Sequence, residues 1–239
     1  MNQNGGTQVM IYKSFDYQSD FSKYSVQQKQ IKESIKQDEK RLVEININYP
    51  EMIKADFEPK TAVKMSDYYK RMAMGFADFA RKKLKEEAIK NISNLNSPYS
   101  VVMKYIPTFE NTALISIVTD VFVYYNSIRS ETERISNIFL KTKFGLLNFT
   151  DFFRSEVKRL IINYILENSI NTFTSDSLYN NYQDLIKKNF KVKNLFLCEN
   201  GYGFYYNAGI LSANIMPSVY IIPFGTFGDK EIGLHFIKT

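Results

Sequence analysis

The strongest constraint on the fold of this chain is an apolar stripe with helical spacing in its first half. Apolar residues recur there at intervals of mostly three and four positions, while the charged run that begins at Arg81 lies largely on the opposite side. The stripe comprises Tyr69, Met72, Ala73, Phe76, Phe79, Ala80 and Leu84. This spacing predicts an amphipathic helix with Ser66 as its N-cap, which packs one face against a sheet.

Segments with the two-residue periodicity of strands lie on both sides of this helix. Val43, Ile45 and Ile47 alternate with polar residues and predict a half-buried strand. Pro50 is expected to end that strand, because proline has no N–H to donate to a ladder. Further strands are predicted at 99–106, 113–125, 135–141, 194–198, 203–207 and 219–224, and the tail 231–237 is a further candidate.

The order of these elements predicts an α+β fold of mainly antiparallel sheets with amphipathic helices packed on one side. A second helix is predicted to begin at a capping Asp151, and a shorter one to cover 178–189. We divide the 239 residues into an N-terminal arm, 1–22, and two subdomains, 23–125 and 126–239. A chain of this length can bury a substantial core.

The chain is poor in the residues that most often carry chemistry. Cys198 is the only cysteine, His235 is the only histidine, and there is no tryptophan. An intrachain disulfide is therefore excluded, and the usual nitrogen and sulfur ligands of a metal site are too few, so we expect no metal and no cofactor. We interpret Cys198 as a buried small hydrophobe and His235 as a terminal surface or strand residue.

Charge and hydropathy set limits on the partners. The net charge of +6 is spread along the chain, and the basic run at 81–85 is followed at once by Glu86 and Glu87, so no nucleic-acid partner is expected. No stretch is apolar enough to span a membrane. The polar N-terminus, 1–8, lacks the layout of a secretory signal, which fits a cytoplasmic protein and equally the soluble part of a protein whose signal or anchor was removed.

Tyrosines supply the large amphipathic aromatic side chains that a binding surface requires. Tyr124 and Tyr125 close one predicted strand, and Tyr202, Tyr205 and Tyr206 surround the last hairpin. We interpret most of them as sheet packing, with a binding surface as the alternative.

Several segments, in their order along the chain, resemble one family. The succession begins with the run 25–33, a polar turn and the strand 42–50, which ends at Tyr49-Pro50. The long helix and the strand 114–125 follow. This succession resembles the extracytoplasmic domains of the group that contains RsiV, a lysozyme-sensing anti-sigma factor, and PdaC, a peptidoglycan deacetylase. In the second half, a set of positions is similar to that group's domain of unknown function: Leu147, Phe149, Asp151, Phe152, Phe153, Phe196, Gly201, Phe204, Ile222, Pro223 and Phe224.

One departure from the family pattern bears on function. The family often places Gly-Gly-Ala-His after the tyrosine-containing strand, whereas this chain has 126–129, Asn-Ser-Ile-Arg. A ligand role of that histidine therefore does not carry over, and the catalytic domain of the deacetylase relatives has no counterpart here. The loop position nevertheless suggests a ligand-binding surface formed by Tyr124, Tyr125, Asn126 and Arg129.

The resemblance implies a non-catalytic, extracytoplasmic binding or sensing module that is secreted, periplasmic or membrane-tethered. Its partner would be a lysozyme-class protein or a peptidoglycan-type glycan. Two alternatives remain open at this point. One is a hydrolase that acts on a cell-wall polymer through paired carboxylates, with Asp120 and Glu131 as candidates. The other is a structural domain of an envelope protein.

Overall fold

The protein has a mixed α+β fold that divides into two compact units. The structure, a computed structural model, describes residues 22–126, 129–172, 178–214 and 216–237. The first unit contains the described residues up to Leu147, and the second begins at Asn148. The predicted α+β class with mainly antiparallel sheets is confirmed. The predicted N-terminal arm, 1–22, lies outside the described residues except for Ser22.

The first unit is built on a five-stranded sheet in which the strands follow chain order. Neighbouring strands are antiparallel, except that β2 and β3 are parallel. The strands are β1 (Val26–Gln37), β2 (Lys40–Met52), β3 (Tyr99–Glu110), β4 (Leu114–Tyr125) and β5 (Arg129–Leu140). The β1–β2 turn consists of Asp38 and Glu39, both with positive φ (47° and 65°), the conformation of the tight hairpin turns whose twist matches that of strands.

A continuous helix connects the parallel strands β2 and β3. It comprises α1 (Pro59–Phe79), a π-helical turn (Ala80–Leu84) and α2 (Lys85–Lys90). The predicted start at Ser66 is wrong. Glu58 is the N-cap, because its side chain accepts a hydrogen bond from the Thr61 backbone N–H, and Pro59 supplies the fixed φ that suits a first helical position. Ser66 lies within α1, where its hydroxyl donates to the Ala62 carbonyl.

The helix 59–90 covers one face of the five-stranded sheet, as the helical stripe predicts. Small alanines on the helix pack against branched residues of the three central strands. The core includes Ala73, Ala77, Ala80, Leu84, Val43, Ile45, Ile47, Val101, Met103, Val121 and Val123. Because side chains alternate along a strand, the intervening residues of β1 to β5 point to the other face, which we call the reverse face.

Strand β2 continues through Pro50, which the sequence interpretation placed at its end. Pro50 is paired with Gln28 of β1, whereas the pairing of β2 with β3 extends only from Val43 to Ile47. Beyond Ile47 the β3 side of β2 has no ladder, so the missing N–H of proline removes no bond there.

The described residues of the second unit form a small antiparallel sheet and four short or medium α-helices. The strands β6 (Leu195–Cys198), β7 (Gly201–Tyr206) and β8 (Ser218–Pro223) lie in the order β6-β7-β8. The helices are α3 (Phe149–Phe152), α4 (Val157–Thr172), α5 (Tyr182–Asn189) and α6 (Leu234–Ile237). Phe153 anchors the aromatic core of this unit, with ring centroids 4.5 Å from Tyr202 and 5.0 Å from Phe149.

Two predictions about the second unit are wrong. Asp151 does not cap the long helix. It forms a capping box with Asn148 at the start of the four-residue α3, and α4 begins later, at Val157. The tail is helical, since Leu234–Ile237 forms α6 instead of a strand. The predicted hairpin at 199–201 is present, with Cys198 paired with Gly201.

The division between the units differs from the predicted subdomain boundary after Tyr125. Strand β5 is paired with β4 along its whole length, from Tyr125–Arg129 to Leu114–Leu140. These hydrogen bonds place 129–140 in the first sheet, so the units separate after Leu147. A boundary within a hairpin would cut the most regular pairing in the sheet.

Candidate binding site

The four residues predicted as a ligand site lie at the end of the β4–β5 hairpin, and the two tyrosines among them point to opposite faces of the sheet. Tyr124 and Tyr125 are the last residues of β4, Asn126 begins the turn, and the backbone of Arg129 is paired with that of Tyr125. Consecutive strand residues point to opposite faces, so the two tyrosines diverge. The Arg129 side chain lies outside the part of the chain that the structure describes.

Tyr125 belongs to the face that the helix covers. Its ring meets the Tyr99 ring edge-on, with centroids 5.4 Å apart, and it packs against the buried apolar cluster. This environment explains the residue through packing alone.

Asn126 fixes the loop that follows the long helix. Its Oδ1 accepts hydrogen bonds from the backbone N–H groups of Asn96 (2.8 Å) and Ser97 (3.0 Å), and its Nδ2 donates to the Asn94 carbonyl (2.8 Å). Its φ of 52° is in the left-handed region, which asparagine tolerates better than most residues. We therefore interpret Asn126 as a residue that positions the hairpin end and the neighbouring loop.

Tyr124 lies on the reverse face and forms a stacked pair with Phe122. The two ring centroids are 6.5 Å apart, the ring planes are inclined by 27°, and both side chains are half-buried. Their partners on β3 are Ser100, opposite Tyr124, and Val102, opposite Phe122. The side chains on the β3 side of the aromatic pair are therefore smaller than the two rings.

Amide side chains of β2 and β1 occupy the same face of the sheet. Asn46 of β2 is paired with Val102, and its Oδ1 accepts a hydrogen bond from Gln30 Nε2 on β1 (3.3 Å). Both amides are exposed. The short side chains of Ser100 and Val102 on β3 lie between the aromatic pair on β4 and the amides on β2 and β1. We call Phe122, Tyr124, Ser100, Val102, Asn46 and Gln30 the aromatic–amide surface.

A buried ion pair lies further along the reverse face. Arg134 of β5 forms a two-point bond with Asp120 of β4, with Nε–Oδ1 at 2.7 Å and Nη2–Oδ2 at 2.6 Å. Their side chains are 1% and 0% exposed. Lys104 of β3 is paired with Asp120 from the other side, so the carboxylate lies in a row between two cationic residues.

The geometry does not support Asp120 and Glu131 as a hydrolytic pair. Asp120 points to the reverse face, whereas Glu131 is paired with Val123, whose side chain packs on the helix-covered face. The two carboxylates are therefore directed to opposite sides of the sheet and cannot face one another across a substrate.

Cys198, His235 and the tyrosines of β7 lie in the second unit. Cys198 is buried in β6, where burial raises the pKa of its thiol, the opposite of what a nucleophilic cysteine requires. His235 is exposed on α6, with Nδ1 2.9 Å from the Ile232 carbonyl. The interpretation of Tyr202, Tyr205 and Tyr206 as sheet packing is confirmed, because all three are buried in β7.

The described residues include no group of three or more His, Cys, Asp or Glu side chains with the arrangement of a metal site. No helix within the described ranges is long and apolar enough to cross a membrane.

Comparison with known proteins identifies the fold. No protein-family model matches the chain, and no curated protein matches its sequence. A crystal structure of a DUF3298 family member from Bacteroides fragilis is similar with a TM-score of 0.55 and 13% identity, over 90% of this chain and 98% of that chain. A DUF3298 family protein from Pseudomonas aeruginosa is similar with a TM-score of 0.53 and 11% identity, over 83% of this chain and 91% of that one.

At these identities the likeness concerns the fold alone. The chain is thus similar in fold to members of a domain-of-unknown-function family, over nearly the full length of both structures. Phe122 and the amides of β1 and β2, which share a face with Tyr124, are not among the residues predicted as a site. The alternation along β4 was the available signal, because it places Phe122 beside Tyr124 and separates Tyr125 from both.

Proposed function

We propose that this chain is a non-catalytic, extracytoplasmic binding module whose ligand is a peptidoglycan-type glycan or a lysozyme-class protein, contacted through the aromatic–amide surface. The observation that carries the proposal is the half-buried Phe122–Tyr124 stack, which faces exposed amides across the short β3 side chains. An aromatic pair with one accessible side offers a large apolar contact at little cost in conformational entropy.

The chemistry of this surface favours a glycan among the two partners. Asn46 and Gln30 each carry a carbonyl acceptor and an NH2 donor, which suits the hydroxyl and N-acetyl groups of sugars. The faces of Phe122 and Tyr124 can pack on the apolar C–H face of a pyranose ring. The extracytoplasmic location is supported by the resemblance to the RsiV and PdaC group.

A non-catalytic role is supported by the engagement of the candidate reactive groups. Asp120 is held by Arg134, Cys198 is buried with a raised pKa, and Glu131 points away from Asp120. A carboxylate that is neutralised by a two-point ion pair makes a poor general acid or nucleophile.

The experiment measures binding to two defined probes. The chain is mixed with purified peptidoglycan sacculi in a sedimentation assay, and with a c-type lysozyme in isothermal titration calorimetry. We expect at least one probe to bind, and Tyr124→Ala to weaken that binding by about tenfold or more, as truncation of an aromatic hot-spot residue does. Tyr179→Ala is the matched control, because Tyr179 is an exposed tyrosine of the second unit.

Three outcomes would contradict the proposal. Equal losses in Tyr124→Ala and Tyr179→Ala would place the ligand elsewhere. Release of soluble reducing sugars from sacculi by the wild-type chain would favour the hydrolase alternative. Binding of neither probe would contradict the proposed ligands and favour the alternative of a structural domain of an envelope protein.

A further inference from the structure

The long helix carries most of the net charge of the chain. The continuous helical segment 59–90 contains nine basic and four acidic residues, a net charge of +5 in a chain whose total is +6. In its second half, Arg81, Lys83 and Lys90 form ion pairs with acidic neighbours. The cations of α1 differ in this respect.

The outward face of α1 is basic and partly apolar. Lys60, Lys64, Lys70 and Arg71 are exposed there, and none of them forms an ion pair with another described residue. Two acids share the face, Asp67 and Asp78, and Asp78 is bound by Arg81 at 2.6 Å.

Two apolar side chains lie among these cations. Val63 is 45% exposed and Met74 is 39% exposed, and they are eleven residues apart, three helical turns, on the same side of the helix. The opposite side of α1, with Met65, Tyr69 and Ala73, is fully buried against the sheet. The exposed apolar residues therefore have no role in the core.

We propose that the outward face of α1 is a docking surface for an anionic lipid bilayer. The helix axis would lie parallel to the membrane, with Lys60, Lys64, Lys70 and Arg71 at the headgroups and Val63 and Met74 directed into the interfacial layer. Cations on both sides of exposed apolar residues are the arrangement of helices that lie on anionic membranes. This inference concerns a surface of the first unit other than the aromatic–amide surface, and it does not depend on the proposed ligand.

The apolar residues decide between a bilayer and a soluble polyanion. A polyanion such as polyphosphate needs only the cations, and exposed Val63 and Met74 would add nothing to its binding. Both the cations and the apolar side chains contribute to binding a bilayer, because Val63 and Met74 leave water when they enter the interface.

The test measures co-sedimentation of the full chain with vesicles of equal parts phosphatidylglycerol and phosphatidylcholine, and with vesicles of phosphatidylcholine alone. The variant K70E/R71E and the control K187E/K188E both lower the net charge from +6 to +2, but the control changes exposed residues of α5. We expect K70E/R71E to reduce binding to the anionic vesicles at least ~25-fold, at about fivefold per cation. The control should lose much less.

A second pair of variants and a second probe complete the test. V63S/M74S should weaken binding to the anionic vesicles and leave binding to polyphosphate unchanged. If K70E/R71E loses its native circular dichroism spectrum, K60E/K64E replaces it as the charge variant. Equal binding to both vesicle types, or equal losses in K70E/R71E and K187E/K188E, would overturn the proposal. Binding of vesicles and polyphosphate that is equally insensitive to V63S/M74S would identify a polyanion site and overturn the lipid assignment.

Discussion

The Asp120–Arg134 pair should make the first unit unusually sensitive to a single isosteric substitution. Asp120→Asn keeps the shape of the side chain, removes its charge, and places an NH2 donor against the Arg134 Nη2 donor, now 2.6 Å from a carboxylate oxygen. Since both side chains are at most 1% exposed, the guanidinium would remain buried without its counter-charge. Removing one partner of such a pair typically costs about 3–5 kcal/mol.

An exposed ion pair of the same unit provides the matched comparison. Lys83 and Glu86 are 3.7 Å apart on the helix, with side chains 71% and 59% exposed, so Lys83→Met should change stability by less than about 1 kcal/mol. Replacing both buried partners, as in D120V/R134M, should restore most of the loss, because a well-packed apolar pair carries no desolvation penalty.

Native-state hydrogen exchange is the suitable assay, because the chain contains two units and a global unfolding measurement does not assign a transition to either of them. The backbone amides of β4 report the first unit alone. A loss of 3–5 kcal/mol corresponds to a fall in their protection of about 100- to 4,000-fold. If Asp120→Asn lowers protection no more than Lys83→Met does, the pair is hydrated in solution and the reasoning from its burial fails.

Three further predictions concern single residues. A Cβ at Gly203 would overlap the ring of the buried Phe196, so Gly203→Ala should destabilise the second unit by about 1–3 kcal/mol. Exchange of the β6 and β7 amides measures this loss, and an unchanged exchange pattern would contradict the packing. Because burial raises the pKa of the Cys198 thiol, a disulfide reagent at pH 8 should label this thiol slowly in the native protein and rapidly in urea. Rapid labelling of the native protein would show that the thiol is accessible. Hydrogen bonds from Arg81 lower the pKa of Glu33, so this ion pair stabilises the folded protein above the unfolded-state pKa of Glu33, and the stabilisation is lost as pH falls through the folded-state value. Glu33→Gln should therefore flatten the fall in the free energy of unfolding that urea titrations measure between pH 3 and 6. An unaltered fall would exclude the Glu33–Arg81 pair as its cause.

Local patterns in the sequence were sufficient for the class of fold. The alternation at Val43, Ile45 and Ile47 predicts β2, and the apolar stripe predicts the helix that covers it. The errors arose where a local signal has two meanings. Ser66 is a common N-cap residue, but its hydroxyl here bonds within the helix, and the true cap is a glutamate, which ranks below serine at that position.

The candidate surface depended on information that no local pattern contains. Alternation separates Tyr124 from Tyr125, but the neighbours of Tyr124 are set by strand order. Asn46 reaches the aromatic–amide surface through the parallel β2–β3 pairing, which joins segments on either side of the long helix. The adjacency of β2 and β3, two strands that the long helix separates in sequence, follows from tertiary packing and not from residue spacing.

The parallel β2–β3 pairing has a consequence for how the first unit is assembled. The sheet consists of two antiparallel pieces, the β1–β2 hairpin and the β3–β4–β5 meander, each of which can form through contacts close in sequence. Within the described residues, the two pieces are joined in the sheet along a parallel ladder of five residue pairs, Val43–Tyr99 to Ile47–Met103. The two pieces are therefore natural folding subunits, and we expect pulsed hydrogen exchange during refolding to show the β3–β4–β5 amides protected before those along this seam.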